Sequence, residues 1–253
     1  MRKVIIIGCP GSGKSTFARA LHEKTGLPLY HLDRMYWNAD RTTVPREVFR
    51  ERLKKVLQKD QWIIDGNYGS TMDLRMDACD TVFFLDYPVE VCLSGVAARR
   101  GQARLDMPWV EPVDGEPDEE FMALIRGFER NHRPQIMELL EKYGDKEIIV
   151  FRSREEAEAY LAPIEDAIAR VRRMEQLLDE ITEGLRQEQR GGVAFELSQW
   201  EERIRELTKY YEGGLWMQDF CRDEQGAFPA DLKRGVLSED AVYDLLTELA
   251  ERC

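Results

Sequence analysis

The stretch KVIIIGCPGSGKST, residues 3–16, decides how the chain is read. A β-branched apolar run ends at Gly8, a glycine-rich turn follows, and Lys14 opens a segment with helical spacing. Gly8 to Ser15 fits the pattern G-x-x-x-x-G-K-S/T in a strand–loop–helix setting, which is where that spacing has physical meaning. Glycines let successive N–H groups turn inward as an anion nest without a Cβ in the way. The start of the following helix adds its partial positive charge. The pattern predicts a cradle for the phosphates of ATP made of Gly8, Pro10, Gly11, Ser12, Gly13, Lys14, Ser15 and Thr16. Lys14 is expected to reach the β- and γ-phosphates and the Ser15 hydroxyl to ligate Mg²⁺. Cys9 reads as a small loop filler rather than a redox switch.

Outward from that loop, short apolar runs alternate with helical patterns up to about residue 160. KVIIIG (3–8), PLYHLD (28–33), WIIDG (62–66), TVFFLD (81–86) and EIIVF (147–151) read as strands. Helices are expected near 14–24, 46–58, 88–100 and 119–143, and SREE (153–156) fits a capping box on Ser153. Alternation of this kind predicts an α/β domain with a parallel sheet and right-handed crossovers.

After Pro163 the texture changes, and the border is placed there, giving domains 1–163 and 164–253. Apolar stripes through Ile164–Leu185 and Leu197–Tyr211, a short segment LWMQDFCRDE, a loop GAFPADLKRG and a last helix capped by Ser238 predict an all-helical domain. Asp219 and Asp223 fall one turn apart, with solvent as their expected setting. Trp200, Tyr210, Tyr211, Trp216 and Phe220 read as core or dimer contacts, which leaves a homodimer or a protein partner open for this domain.

The formal charge is −12, with 21 acids against 12 bases in residues 164–253. Such a balance argues against a nucleic-acid partner. No transmembrane stretch and no signal-peptide profile is evident, which predicts a cytoplasmic protein. Cys9, Cys79, Cys92, Cys221 and Cys253 show neither a metal-binding nor a disulfide spacing.

An enzyme built on a phosphate loop needs a second acid near Mg²⁺. Asp33, Asp65 and Asp86 each end an expected strand, and position in the chain decides among them only partly. A resemblance narrows the choice. WIIDGNY followed by DTVFFLDYPVEVCLSGVAARR resembles the adenylate-kinase-type branch of P-loop kinases, and HLDRMYW, WIIDGNYGSTMDLRM and RLDMP resemble the bacterial topology modulation proteins within it. The likeness spans residues 1 to about 160. The last 80 or so residues resemble a small helical bacterial domain family without an assigned activity.

The resemblance implies a three-layer P-loop fold with a five-stranded parallel sheet of order 2-3-1-4-5. It implies Asp65 as the Mg²⁺-linked acid and Asp33 as the acid facing the acceptor, with Gly66, Asn67 and Arg75 beside that acceptor. Arg99 and Arg100 would lead into a lid at 101–120, a stretch rich in acids with three prolines, and Arg130 or Arg133 would reach the phosphates from the next helix. Related sequences carry an arginine where this chain has Gly95, so the lid is expected to be electrostatically weak. Gly66-Asn67-Tyr68-Gly69 replaces a Gly-Phe-Pro-Arg turn, which argues against plain AMP kinase activity. The expected function is an ATP- and Mg²⁺-dependent kinase for a small acceptor: a nucleotide, nucleoside or hydroxy-metabolite. The alternative is a nucleotide-dependent regulator of a partner or oligomer, for which the family name suggests a link to DNA topology.

Overall fold

The computed structural model describes residues 1–110 and 118–252. Residues 111–117 of the expected lid, and Cys253, lie outside the described residues. Two compact units are present, Met1–Ala157 and Glu158–Cys253.

Unit 1 runs β1 (Lys3–Gly8), α1 (Lys14–Thr25), β2 (Leu29–His31), α2 (Leu32–Tyr36), α3 (Arg46–Leu57), β3 (Trp62–Asp65), α4 (Met72–Ala78), β4 (Thr81–Leu85), α5 (Val89–Ala98), α6 (Glu119–Arg126), α7 (Phe128–Asn131), α8 (Arg133–Lys142) and β5 (Glu147–Phe151). The helix α9 (Arg154–Leu161) carries the chain across the division, slightly before the Pro163 border read from sequence. The five strands are parallel in the order β2-β3-β1-β4-β5. Val4–Ile7, Trp62–Ile64 and Val82–Phe84 are fully buried, so these strands read as continuous apolar runs rather than alternating ones. Phe17 of α1 packs its ring on Phe83 and Phe151, with centroids 5.0 and 5.3 Å away, and so seats α1 on the sheet.

The register matters most for function. His31 pairs with Asp65, Asp65 with Ile6, and Gly8 with Leu85, which gathers the ends of four strands along one edge. Ligand sites of open parallel sheets form at this carboxyl edge.

Several elements depart from the sequence reading, among them α4, a helix where none was expected. The second strand stops at His31, and Leu32–Tyr36 turns helical, so Asp33 stands on a short helix. The expected helix 119–143 is three helices: α6 ends at Gly127, and the break before α8 follows from Pro134, which cannot donate to a preceding turn and whose ring excludes a carbonyl four residues back. In the box around Ser153, the Ser153 hydroxyl accepts from Glu156 N at 3.3 Å, whereas the Glu156 carboxylate reaches Arg152 N at 2.8 Å, one residue further back than a capping box requires.

Unit 2 packs α10 (Ile164–Gln189), α11 (Leu197–Glu212), α12 (Gly214–Glu224) and α13 (Glu239–Ala250) around a core that includes Val171, Leu177, Ile181, Leu207 and Val242. Tyr210 and Trp216 are buried in it, with Trp200, Tyr211 and Phe220 packed against it, so all five aromatic residues serve this unit's own core. Gly184 has a packing role: a Cβ there would sit 2.8 Å from the Trp200 ring, which stacks with Phe195 at 5.1 Å. The loop after α12 is anchored at Val236, whose carbonyl accepts from the Trp216 indole at 2.8 Å and whose amide donates to the buried Glu175.

The expectation of a solvent-facing Asp219 is corrected. It is fully buried and accepts two bonds from Arg170, at 2.8 and 2.6 Å, and one from Tyr210 at 3.2 Å, with Arg222 also alongside. Asp223 pairs with Arg234 at 2.8 Å. Helical spacing placed both acids on one face, but the face with Asp219 turns inward. Removing one partner of a buried ion pair leaves the others uncompensated. Asp219→Ala is expected to cost unit 2 about 3–5 kcal/mol, seen as faster hydrogen exchange across α10 and α12. Unchanged protection there would contradict this account of Asp219.

Candidate functional site

The loop between β1 and α1 is shaped by backbone rather than side chains. Gly8, Gly11 and Gly13 have φ of 150°, 86° and 94°, all in the range that favours glycine. A Cβ on Gly11 would sit 2.1 Å from the Cys92 carbonyl oxygen, and a Cβ on Gly95 would sit 2.1 Å from the Gly11 carbonyl oxygen. Helix α5 therefore lies directly on the loop, backbone against backbone. Gly95 gains a positive reason here: the loop occupies the space in which any side chain at this position would begin. Cys9 is buried in the same contact, its thiol hydrogen-bonded to that of Cys92, and this bond and its burial push the Cys9 thiol up.

From the other side, Asn67 holds the loop. Its side-chain oxygen accepts from Gly8 N at 3.0 Å and its side-chain nitrogen donates to Gly8 O at 2.7 Å. Expected beside the acceptor, Asn67 instead spends both halves of its amide on the strand end. Lys14 bends back so that Nζ donates to the Cys9 carbonyl at 3.0 Å. Burial pushes its ammonium down, while Asp65 and Asp33 pull it back up.

Asp65 at the end of β3 and Asp33 on α2, just after β2, close the site. Asp65 is 4% exposed; Oδ2 pairs with His31 Nδ1 at 2.8 Å, and Oδ1 is buried without a hydrogen-bond partner among the described residues. Asp33 accepts from the Tyr68 hydroxyl at 2.7 Å. Burial raises the Asp33 carboxyl above its ordinary range, and the Asp65 charge adds to the rise against the opposing pull of the Tyr68 hydrogen bond and of Lys14.

Sequence reasoning missed two residues here. His31 carried a usable signal, since the last positions of β2 and β3 become neighbours once the sheet is parallel. Asp106 carried less, because its burial at 2% arises in a loop. Burial would push its carboxyl up, but hydrogen bonding and charge from Arg104, with a further bond to Ser15, bring it down to about 2. Asp106 thus reaches the hydroxyl that the motif assigns to the metal, and it stands 3.8 Å from Arg19.

The arginines are placed differently from expectation. Arg75 is fully buried, donating to the carbonyls of Thr71, Gly66, Asn67 and Tyr68. It clamps the β3–α4 connection and cannot also hold an acceptor; burial brings its guanidinium down to about 10. Gly66, at φ 132°, contributes its carbonyl to that clamp. Arg133 makes a bidentate pair with Asp86, at 2.8 and 2.8 Å, so its charge and that of Asp86 are engaged with each other rather than with a phosphate. Arg130 is exposed on α7. Arg99 lies over the Phe121 ring, 5.4 Å from its centroid, and Arg100 follows it half-buried after α5.

The residues fit a phosphate and a magnesium ion on one specific ground. Ser12 Oγ and Asp65 Oδ1 are both buried without partners among the described residues, at the loop and at the strand end beside it. Among the described residues no group of three or more ligating side chains could hold a metal unaided. That is in keeping with Mg²⁺, which is commonly bound through one or two protein oxygens together with phosphates and water.

Several known proteins share parts of this chain's sequence or architecture. Residues 171–252 match the Domain of unknown function (DUF4298). Over 91 residues, 35% of this chain, there is 28% identity to an adenylate kinase of Thermotoga neapolitana. The match spans 40% of that relative's length. A shikimate kinase structure from Bacteroides thetaiotaomicron is 20% identical, covering 62% of this chain and 93% of the kinase, with a TM-score of 0.39. The structure of deoxyadenosine kinase from M. mycoides with bound dATP is 17% identical, covering 59% and 90%, with a TM-score of 0.33. No helix among the described residues is long and apolar enough to cross a membrane.

Asp33 yields a test on stability. A carboxyl whose pKa is raised on folding makes the fold less stable as pH climbs from the unfolded carboxylate range through the folded value. Asp33→Asn removes that cost. It is expected to raise stability at pH 7 by roughly 0.5–2 kcal/mol and to flatten the pH dependence above about pH 4. Thermal unfolding of both proteins from pH 4 to 8 checks this; a destabilised variant at pH 7 would contradict the assignment.

Proposed function

We propose that unit 1 binds ATP and moves its γ-phosphoryl group to a hydroxyl of a small molecule. The observation that carries this reading is that Ser12 Oγ of the glycine loop and Asp65 Oδ1 at the end of β3 are both buried without partners among the described residues, beside Lys14, whose ammonium the charges of Asp65 and Asp33 pull up. The similarity to adenylate kinase over 91 residues supports the same class of chemistry.

In this reading the loop amides and Lys14 bind the β- and γ-phosphates, Lys14 exchanging its bond to the Cys9 carbonyl for them. Ser15 and Asp65 would hold Mg²⁺, with Asp106 on the Ser15 hydroxyl and His31 fixing the Asp65 carboxylate. When bound, the ion neutralises charge that develops on the phosphates. Asp33 orients the acceptor hydroxyl and takes its proton. Its raised carboxyl suits a base, since proton transfer is most efficient when the group titrates near the working pH. Tyr68, bonded to Asp33, is a positioning residue. Arg99 and Arg100 at the end of α5 are the remaining candidates for charge stabilisation. The Gly66–Gly69 turn lacks an arginine and Arg75 is fully engaged, which supports an acceptor other than AMP.

A second reading is nucleotide-dependent control of a partner through unit 2, favoured by the separate match of residues 171–252 to a domain without assigned activity. In it, ATP alters partner binding or oligomeric state with little turnover.

Incubation with ATP labelled in its γ-phosphate, Mg²⁺ and a panel of hydroxylated small molecules separates the two. Transfer to an acceptor is expected, lowered by roughly 10²–10³ in Lys14→Met. If label passes only to water, slowly, and ATP changes the oligomer or partner instead, the transfer reading fails.

A further inference from the structure

We propose that Cys9 and Cys92 are a reversible redox pair, and that a disulfide between them pins the phosphate loop to α5 and weakens nucleotide binding. The inference rests on the reading of residues 8–16 as a nucleotide cradle. It concerns two side chains that the transfer chemistry does not use.

The first support is the placement of the thiols. Cys9 follows β1 in the loop, and Cys92 lies in the first turn of α5. Both are free cysteines, 1% and 0% exposed. The Cys9 thiol is hydrogen-bonded to that of Cys92, which donates in turn to the Tyr87 carbonyl at 3.9 Å. The two backbones meet in the same place, since a Cβ on Gly11 would sit 2.1 Å from the Cys92 carbonyl oxygen. Sulfurs that already face each other from adjoining backbones can bond with a small main-chain movement. Cys79, by contrast, is buried with its thiol on the Met76 carbonyl, and Cys221 is exposed in unit 2. The sequence alone makes Cys9 a loop filler; the facing thiol gives it chemistry.

The second support is a division of roles within the pair. The hydrogen bond from Cys9 holds the Cys92 thiol below its ordinary range against the effect of burial, and the charges of Lys14 and Arg154 add to the fall. Arg154 is fixed there by a 3.3 Å bond to the Val91 carbonyl. Cys9 is pushed the other way and keeps its proton. Cys92 is thus the attacking thiolate and Cys9 the resolving thiol.

The third support is what Cys9 carries. Its carbonyl accepts from Ser12 N at 3.1 Å and from Lys14 Nζ at 3.0 Å, so both ends of the loop turn on this residue. A covalent bond draws the sulfurs closer than a hydrogen bond leaves them. Helix α5 cannot follow, because Gly11 and Gly95 leave no space between the two backbones. The movement falls on the loop, whose converging amides lose their alignment. By linkage, bound nucleotide disfavours the disulfide by the same factor.

The oxidant is a small hydroperoxide, which can enter when the loop opens locally. Cys92 sulfur attacks one peroxide oxygen, the O–O bond breaks, and the departing oxygen leaves as water, with a sulfenic acid on Cys92. Cys9 loses its proton, its sulfur attacks the Cys92 sulfur, the S–O bond breaks, and a second water leaves. Two thiols give up two electrons and hydrogen peroxide takes them. A dithiol reverses the bond by exchange.

The full chain, treated with hydrogen peroxide and then alkylated, is digested with trypsin and Glu-C and mapped without reduction; cleavage after Glu90 separates Cys79 from Cys92. A peptide linked through Cys9 and Cys92 is expected, and dithiothreitol is expected to remove it. The oxidised protein is expected to bind a non-hydrolysable ATP analogue with Mg²⁺ about tenfold more weakly, recovering on reduction. Saturating analogue is expected to raise the reduction potential of the pair by about 30 mV, the same factor for a two-electron couple. Cys92→Ser is expected to bind like the reduced chain and to ignore peroxide; if that variant does not fold, mapping and binding in the unaltered chain decide alone. Absence of the linked peptide, or a linked protein that binds as tightly as the reduced one, overturns the inference and leaves the transfer reading intact. If the reduced chain binds no analogue, the ATP reading fails. Amide exchange at residues 8–16 then decides the inference separately: a change on oxidation that dithiothreitol reverses supports it, and identical exchange overturns it.

Discussion

Everything in unit 1 that bears on chemistry depends on one constraint, that a loop of converging backbone N–H groups must be held open without side chains of its own. Converging donors repel one another and would relax if the loop were free. The fold holds this loop from both sides. Helix α5 presses its backbone onto Gly11 through the missing Cβ atoms of Gly11 and Gly95, and Asn67 grips both backbone groups of Gly8. Asn67 is itself fixed because Arg75 bonds its carbonyl and the carbonyls on either side. A chain of contacts thus runs from a buried guanidinium through the β3–α4 connection to the phosphate loop. Such preorganisation is what lets electrostatic groups act without reorganising when charge develops.

The same constraint explains which parts of the molecule were legible in the sequence. The five strands were, because a parallel sheet buried on both faces must be written as unbroken β-branched and aromatic runs, and KVIIIG and EIIVF match their strands end to end. The phosphate loop was legible because its requirement for glycine is local. The break before α8 is written in the sequence as Pro134, whereas the end of α6 at Gly127 carries no comparable signal.

The charged residues were the hard part, since a sequence shows a charge but not its partner. Arg75 and Arg133 read as anion ligands, yet one is buried on carbonyls and the other is neutralised by Asp86. Asp219 read as a surface acid and is the buried centre of a network in unit 2. Asn67 read as a contact to the acceptor and is a strut. In each case the residue type and the spacing were informative, and the missing quantity was the long-range pairing that burial enforces. His31 and Asp106 were missed for the converse reason: each acquires its setting only from an acid or a hydroxyl distant in sequence.

The central claim, that the loop is a cradle already formed for the phosphates of a nucleotide and coupled to the ends of β2 and β3, is tested most directly by hydrogen exchange. Amide exchange is measured in the full chain with and without Mg²⁺ and a non-hydrolysable ATP analogue. The account predicts slowed exchange confined to residues 8–16, to the ends of β2 and β3 and to the start of α5, with strand cores unchanged. Protection that appears elsewhere, or loop amides that exchange equally fast with and without nucleotide, would contradict it.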